Sequence, residues 1–127
     1  MLYIIRGLPG AGKTTLAHKL SPNVVEADDF MVNDDGEYEF DPSRLGECHA
    51  ACFAAVEDLF FMGAANVAVS NTFVSSWEYE RYIKFCDEVG IMYQVISVSG
   101  HPTWENTHGV PASTIQRMKK RWMETNQ

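Results

Sequence analysis

The sequence has few cysteines, few basic residues and no long apolar run, and each shortage narrows the classes of protein it can belong to. Its 127 residues include three cysteines, an odd number without metal-site spacing, so we expect buried thiols and no disulfide framework. Apolar stretches such as 50–56 are far too short to span a bilayer. The N-terminal apolar run is interrupted at Arg6 and does not resemble an export signal. These features predict a soluble, cytoplasmic protein without a membrane partner.

Positive charge is also scarce, with 10 lysines and arginines against 17 acidic residues and a net charge of −7. Nonspecific binding to long nucleic acid requires many phosphate contacts, so the composition argues against it and leaves a short nucleic-acid end as a possible partner. Four basic residues crowd near the C-terminus, where a solvated helix face is favoured over a binding patch. The length predicts a single domain over residues 1–127.

Residues 7–14, GLPGAGKT, match the spacing G-x-x-x-x-G-K-[ST] between a strand-like run at 2–5 and a helical pattern at 15–20. This pattern predicts a P-loop, in which glycines allow backbone N–H groups to surround phosphate. Lys13 is expected to reach the β- and γ-phosphates, and the Thr14 hydroxyl to be a ligand of Mg²⁺. We predict that ATP or GTP is bound by the loop and the start of the helix, at Leu8, Pro9, Gly10, Ala11, Gly12, Lys13, Thr14 and Thr15.

Two carboxylates, Asp28 and Asp29, follow residues 24–27, VVEA, which are predicted to be the short second strand. In open α/β sheets, the carboxyl ends of parallel strands are where ligands bind. Asp28 is therefore a candidate to accept the proton of an attacking hydroxyl or to hold a Mg²⁺-bound water, and Asp29 to cap the next turn. The alternative is that both aspartates only cap turns.

The third predicted strand, 67–69, ends in neutral residues, Ser70-Asn71-Thr72-Phe73, where many P-loop proteins have a carboxylate for Mg²⁺. Metal binding is therefore expected to depend on Thr14, on phosphate oxygens and on Asp28.

Helical spacing predicts a helix that begins at Asp41-Pro42 and ends at Gly63, and another over 77–89. Between the second strand and the first of these helices, residues 33–40 are predicted to form a small hairpin around an Asp-Gly turn. His49 lies off the apolar stripe and either faces the cleft or lies in solvent; solvent, or a structural hydrogen bond, is the favoured environment.

A fourth strand over 91–98 precedes a loop, 99–110, which is a candidate lid or a plain surface connection, and then a last helix. The order predicts an α/β fold, a P-loop NTPase-type three-layer sandwich with a four-stranded parallel sheet and helices on both faces.

The chain resembles the P-loop polynucleotide-kinase-like family nearly end to end. The matching segments come in the family's order and are IIRGLPGAGKTTLA, ADDF, DGEYEFDPSRLGECH, SNTF and NTHGVPASTIQRM. The resemblance implies a four-stranded parallel sheet and transfer of the ATP γ-phosphate to a hydroxyl, best known for the 5′-OH of a nucleic-acid end. It also implies that Asp28 is the general base, that Lys13 and the loop amides bind phosphate, and that Thr14 binds Mg²⁺.

Three positions depart from the family pattern. Met31 and Glu105 stand where the family has arginines, on the acceptor side and in the lid, and Asn71-Thr72-Phe73 replaces a D-x-N ending of strand three. Arg117, within IQRM, is the candidate that replaces the lid arginine at the nucleotide, unless it is a surface residue.

Two functions follow from this pattern. One is a Mg²⁺-dependent kinase that acts on a nucleic-acid end, a nucleotide or another small molecule; the other is a nucleotide-binding module with weakened catalysis. A plain NTPase is less favoured because no water-positioning Gln or Glu accompanies the P-loop.

Overall fold

The computed structural model describes residues 1–8 and 10–98. Within these residues, strands and helices alternate along the chain, as the sequence pattern predicts. The strands are β1 (Leu2–Arg6), β2 (Val24–Val25), β3 (Val67–Asn71) and β4 (Tyr93–Ser97), and the helices are α1 (Lys13–Leu20), α2 (Leu45–Phe61) and α3 (Glu80–Val89). Short 3₁₀ helices lie at Ala27–Phe30, Pro42–Arg44 and Ser76–Glu78.

The four strands form one parallel sheet in the order β2-β3-β1-β4, which confirms the predicted fold class. The central strands β1 and β3 are paired in register from Leu2 opposite Val67 to Arg6 opposite Asn71. Both central strands are almost entirely buried, whereas β4 at one edge is largely exposed. The carboxyl ends of β1 and β3 therefore meet at one edge of the sheet.

Helices cover both faces of the sheet because successive strand residues point to opposite sides. On one face, Ile5 and Ala68 pack against Ala17 of α1. On the other face, Ile4 and Val69 belong to the larger core, together with residues of α2 and α3. The buried residues of those two helices are Cys48, Cys52, Val56, Tyr82, Phe85 and Cys86. The three cysteines are buried free thiols, as expected.

The three 3₁₀ helices change the predicted boundaries. Strand β2 ends at Val25 because Glu26 and Asp29 form a capping box that starts a turn at Ala27. Helix α2 starts at Leu45 because the Asp41 carboxylate caps a separate turn by accepting the N–H of Ser43 at 3.0 Å. A capping box of Ser75 and Glu78 likewise separates Trp77 from α3. Local capping therefore determines where β2 ends and where α2 and α3 begin. The spacing of apolar residues does not reveal these boundaries.

The predicted hairpin at 33–40 is reduced to a single antiparallel bridge, Val32 opposite Tyr38, around a turn in which Gly36 has a φ of 80°. The backbone N–H of Glu39 donates to the carbonyl of Met31 at 3.0 Å, which ties the base of this turn to the segment after Asp28. No helix among the described residues is long and apolar enough to cross a membrane. The candidate lid, 99–110, and the last helix lie outside the described residues.

Candidate active site

The predicted phosphate-binding loop joins β1 to α1 at the carboxyl edge of the sheet, where the P-loop pattern requires it. Gly10 and Gly12 have positive φ angles of 81° and 94°, which L side chains rarely adopt, and Gly12 is the N-cap of α1. At Gly7 a glycine is needed for a different reason, because there is too little space for a side chain. A Cβ there would lie 3.0 Å from the Val98 carbonyl oxygen and 3.1 Å from Lys13 Cγ.

Lys13, the first residue of α1, is partly buried, and its ammonium donates to the Leu8 carbonyl oxygen at 3.1 Å. Burial lowers the pKa of Lys13, while the carboxylates of Glu26 and Asp28 oppose that effect. The lysine therefore stands within electrostatic reach of Glu26 and Asp28, two of the three acids that follow β2. Its bond to the loop carbonyl is weak enough to be exchanged for phosphate oxygens when a nucleotide binds.

Thr14 is hydrogen-bonded across the sheet edge, since its hydroxyl donates to Glu26 Oε1 at 2.5 Å. Glu26 is a site residue that the sequence analysis missed, because it was assigned to the second strand. The available signal was an acid directly after a very short apolar run. A hydroxyl beside a carboxylate is a pair of hard oxygen donors, which suits Mg²⁺.

Asp28 and Asp29 differ in their roles within the turn after β2. The Asp29 carboxylate accepts the N–H of Glu26 at 3.0 Å and so caps the turn, as expected for this residue. Asp28 is partly buried, and its negative charge acts on Lys13 and on Tyr38. Burial, together with the charge of Asp28, raises the pKa of Tyr38 to about 12. Asp28 is thus close enough to act electrostatically on both Lys13 and the turn that contains Tyr38.

Asn71 fixes the Asp28 turn to the end of β3. Its buried side chain accepts the N–H of Ala27 through Oδ1 at 2.7 Å, and its Nδ2 lies 3.6 Å from Cys52 Sγ. An amide can donate and accept at once, whereas a carboxylate here would have no proton to offer the cysteine. The neutral residue that replaces the expected acid therefore positions the neighbouring turn.

Met31 is buried, with its Sδ 3.8 Å from Cys48 Sγ on α2. It points into the core and presents no group to an acceptor. His49, the next residue of α2, was expected in solvent or in a structural hydrogen bond. It is partly buried and lines a cavity together with Trp77 and Arg81.

The other predicted nucleotide-binding residues that the structure describes lie in the loop or in the first turn of α1. Leu8 is buried, Ala11 donates its N–H to the Leu8 carbonyl at 3.1 Å, and Thr15 is exposed on the first turn of α1. Pro9 and Arg117 lie outside the described residues. Over 1–8 and 10–98, three or more His, Cys, Asp or Glu side chains do not gather into a metal-binding group.

Replacing Asn71 with alanine is expected to leave the buried Ala27 N–H without a partner and to lower the free energy of unfolding by about 1–3 kcal/mol. Urea unfolding measures the change. The matched control is Asn23→Ala, which removes a partly buried amide that donates to the Asn66 carbonyl away from Asp28. An unchanged midpoint for Asn71→Ala would contradict the linking role.

Gly7→Ala is expected to displace the P-loop, since one of the two close atoms is backbone that cannot rotate away. Overpacking of this kind typically costs about 1–3 kcal/mol. Both the melting temperature and the affinity for ATP should fall, as measured by thermal unfolding with and without nucleotide. The control is Gly46→Ala, where an added Cβ meets no atom within 4 Å.

Comparison with known proteins bears on the family and the fold of this chain. The family model AAA_33, described as an AAA domain, matches residues 2–103. Human NEDD4-binding protein 2 is 28% identical over 137 aligned residues, which cover 96% of this chain and 8% of that protein. A chain of the Pnkp1/Rnl/Hen1 RNA repair complex superimposes with a TM-score of 0.71 at 22% identity and covers 98% of this chain and 44% of that chain.

The family model covers most of the sequence, whereas the structural likeness, at its low identity, shows the fold. This chain spans only a small part of the human relative. The P-loop between β1 and α1, the all-parallel sheet and the matched family model agree with the predicted resemblance. The chain therefore belongs to the AAA_33 family of AAA domains and is a P-loop polynucleotide-kinase-like protein.

Proposed function

We propose that this domain transfers the γ-phosphate of ATP to a hydroxyl group, and that the acceptor is the 5′-OH of a nucleic-acid end. The supporting observation is the hydrogen bond between Thr14 and Glu26, which joins the P-loop helix to the turn that carries Asp28. Because of this bond, a triphosphate on the loop and a hydroxyl near Asp28 would face each other. The nucleic-acid acceptor is supported by the resemblance to a chain of an RNA repair complex.

In the proposed reaction, the acceptor oxygen attacks the γ-phosphorus, and the bond from that phosphorus to the β–γ bridging oxygen breaks. The hydroxyl proton passes to the Asp28 carboxylate, and ADP leaves. Lys13 would exchange the Leu8 carbonyl for phosphate oxygens and offset their charge. Positioning and electrostatic stabilisation supply most of the rate in such transfers.

Mg²⁺ fits the residues present, because the Thr14 hydroxyl and the Glu26 carboxylate are neighbouring oxygen donors. When bound, the ion would neutralise charge on the phosphates. Thr14 would be its direct protein ligand, and Glu26 would orient the threonine hydroxyl or accept a hydrogen bond from metal-bound water. Asn71 is already engaged with Ala27 and so is not needed for the ion.

A nucleotide-binding module with weak catalysis is the second candidate. It is favoured by Met31, whose burial against Cys48 leaves the residue unable to contact an acceptor phosphate. Under this function, ATP would raise the melting temperature by mass action, but phosphate transfer to hydroxyl compounds would be inefficient or absent.

Asp28→Asn separates the two candidates. The substitution removes the proton acceptor at nearly constant shape, so transfer of labelled phosphate from ATP to a 5′-OH oligonucleotide should fall by about 10²- to 10⁴-fold. The ATP-induced rise in melting temperature should persist. The matched control is Asp34→Asn, on the exposed turn. If the wild type binds ATP yet phosphorylates neither oligonucleotides nor nucleosides, the kinase proposal is wrong.

Glu26→Gln tests the metal role. Loss of a partner that orients a metal ligand typically weakens metal binding by about 10- to 100-fold. The Mg²⁺ concentration needed for the full ATP-induced rise in melting temperature should therefore increase, whereas the shift in EDTA should stay the same. Glu37→Gln, an exposed acid in the 33–40 turn, is the control. Equal Mg²⁺ dependence in both variants would show that Glu26 has no part in metal binding.

A further inference from the structure

A cavity of about 300 Å³ lies between the first turns of α2 and α3, on the face of the sheet opposite α1. Its walls include apolar Leu45 and Tyr82, and the polar or aromatic side chains His49, Trp77, Glu78 and Arg81. The volume is at the lower limit of pockets that bind small organic ligands. None of these polar groups has a part in nucleotide binding as described above.

The cavity lies at the same edge of the sheet as the Asp28 turn and is linked to it through α2. Both α2 and α3 start at the carboxyl edge of the sheet, because each helix returns the chain from the end of one parallel strand to the start of the next. His49 follows Cys48, whose thiol contacts Met31, and the Met31 N–H donates to the Asp28 carbonyl at 3.1 Å. The negative charge of Asp28 also acts on the His49 imidazole.

The lining groups combine stacking, hydrogen bonding and one positive charge. Trp77 is 66% exposed, so a large part of its indole is available to a ligand. Burial lowers the pKa of His49, an effect that Arg81 adds to and that Glu78 and Asp28 oppose, so the ring is mainly neutral near pH 7 and offers one donor and one acceptor. Arg81 is exposed beyond its contact with the Phe53 ring, 5.7 Å from the ring centre.

We propose that this cavity binds the terminal nucleotide of a single-stranded nucleic acid, with its base on Trp77 and its 3′-phosphate beside Arg81, which leaves the 5′-OH directed toward Asp28. Aromatic side chains bind unpaired bases by stacking, and a guanidinium suits phosphate oxygens. The proposal rests on the proposed kinase function and names its acceptor site.

Charge limits the ligand to a short end. Glu78 stands in the same wall as Arg81, with its carboxylate accepting the Ser75 N–H at 2.6 Å, so the cavity offers little net positive charge to a row of phosphates. The net charge of −7 acts in the same direction. One stacked base and one phosphate match the available groups.

The test is fluorescence anisotropy of a 5′-OH single-stranded tetranucleotide with a 3′ fluorophore, titrated with protein at low salt and without ATP. Trp77→Ala and Arg81→Gln are each expected to raise the Kd by roughly tenfold or more. The controls are Met62→Ala, which is 83% exposed, and Lys84→Gln, which removes an exposed charge one turn along α3 from Arg81. Both controls should leave the Kd unchanged.

Competition by small ligands tests the placement of the phosphate. A nucleoside 3′-monophosphate should displace the oligonucleotide better than the nucleoside does, and Arg81→Gln should abolish that advantage. If Trp77→Ala and Arg81→Gln bind like the wild type, if Lys84→Gln loses as much affinity as Arg81→Gln, or if the wild type does not bind the oligonucleotide, the acceptor site is wrong. Oligonucleotide binding that depends on Trp77 and Arg81, without phosphate transfer, would instead overturn the kinase function and keep the site.

Discussion

The buried guanidinium of Arg6 is the interaction on which the arrangement of this edge of the sheet depends. Arg6 ends β1, one residue before the P-loop, and it donates to the carbonyls of Phe73 at 3.0 Å and Val74 at 2.8 Å. Phe73 has a φ of 45°, a conformation that costs a non-glycine residue roughly 1–2 kcal/mol. The two hydrogen bonds, with the burial of the Phe73 ring, offset that cost. The loop after β3 is thereby held against the start of the P-loop, and the turn that carries Trp77 follows from it.

Asn71 extends this support to the third strand end. It lies opposite Arg6 in the sheet, and its side chain holds the turn of Asp28 at the end of β2. A neutral amide suits this position, because Glu26 and Asp28 already supply two negative charges near Lys13. A third carboxylate would add repulsion to that group. The expected acid of strand three is thus replaced by a structural link, and the carboxylate that accepts a hydrogen bond from Thr14 is Glu26, directly after β2.

The sequence predicts the parts of this structure that depend on local spacing. The P-loop, the alternation of strands and helices that indicates a parallel sheet, and the apolar stripe of α2 all follow from residue patterns within a few turns of the chain. Glu26 and the Trp77 cavity do not, because their positions depend on which segment ends meet in three dimensions. Glu26 lies outside β2 because Asp29 caps the turn that starts there. Trp77 lies outside α3 because the Ser75–Glu78 capping box forms a separate turn. The capping residues can be recognised in the sequence. Which side chains they place at the site can be seen only in the three-dimensional structure.

The two halves of the proposed active site rest on different kinds of interaction. The donor half depends on backbone geometry, on Gly7, Gly12 and the start of α1, so most substitutions there would damage nucleotide binding itself. The acceptor half is built from side chains of α2, α3 and the turn between β3 and α3. Met31 shows that one of its positions can turn into the core without disturbing the sheet. Under the proposed function, changes at Trp77 and Arg81 would therefore alter which hydroxyl is phosphorylated and leave ATP binding intact, so substrate choice can change independently of the P-loop.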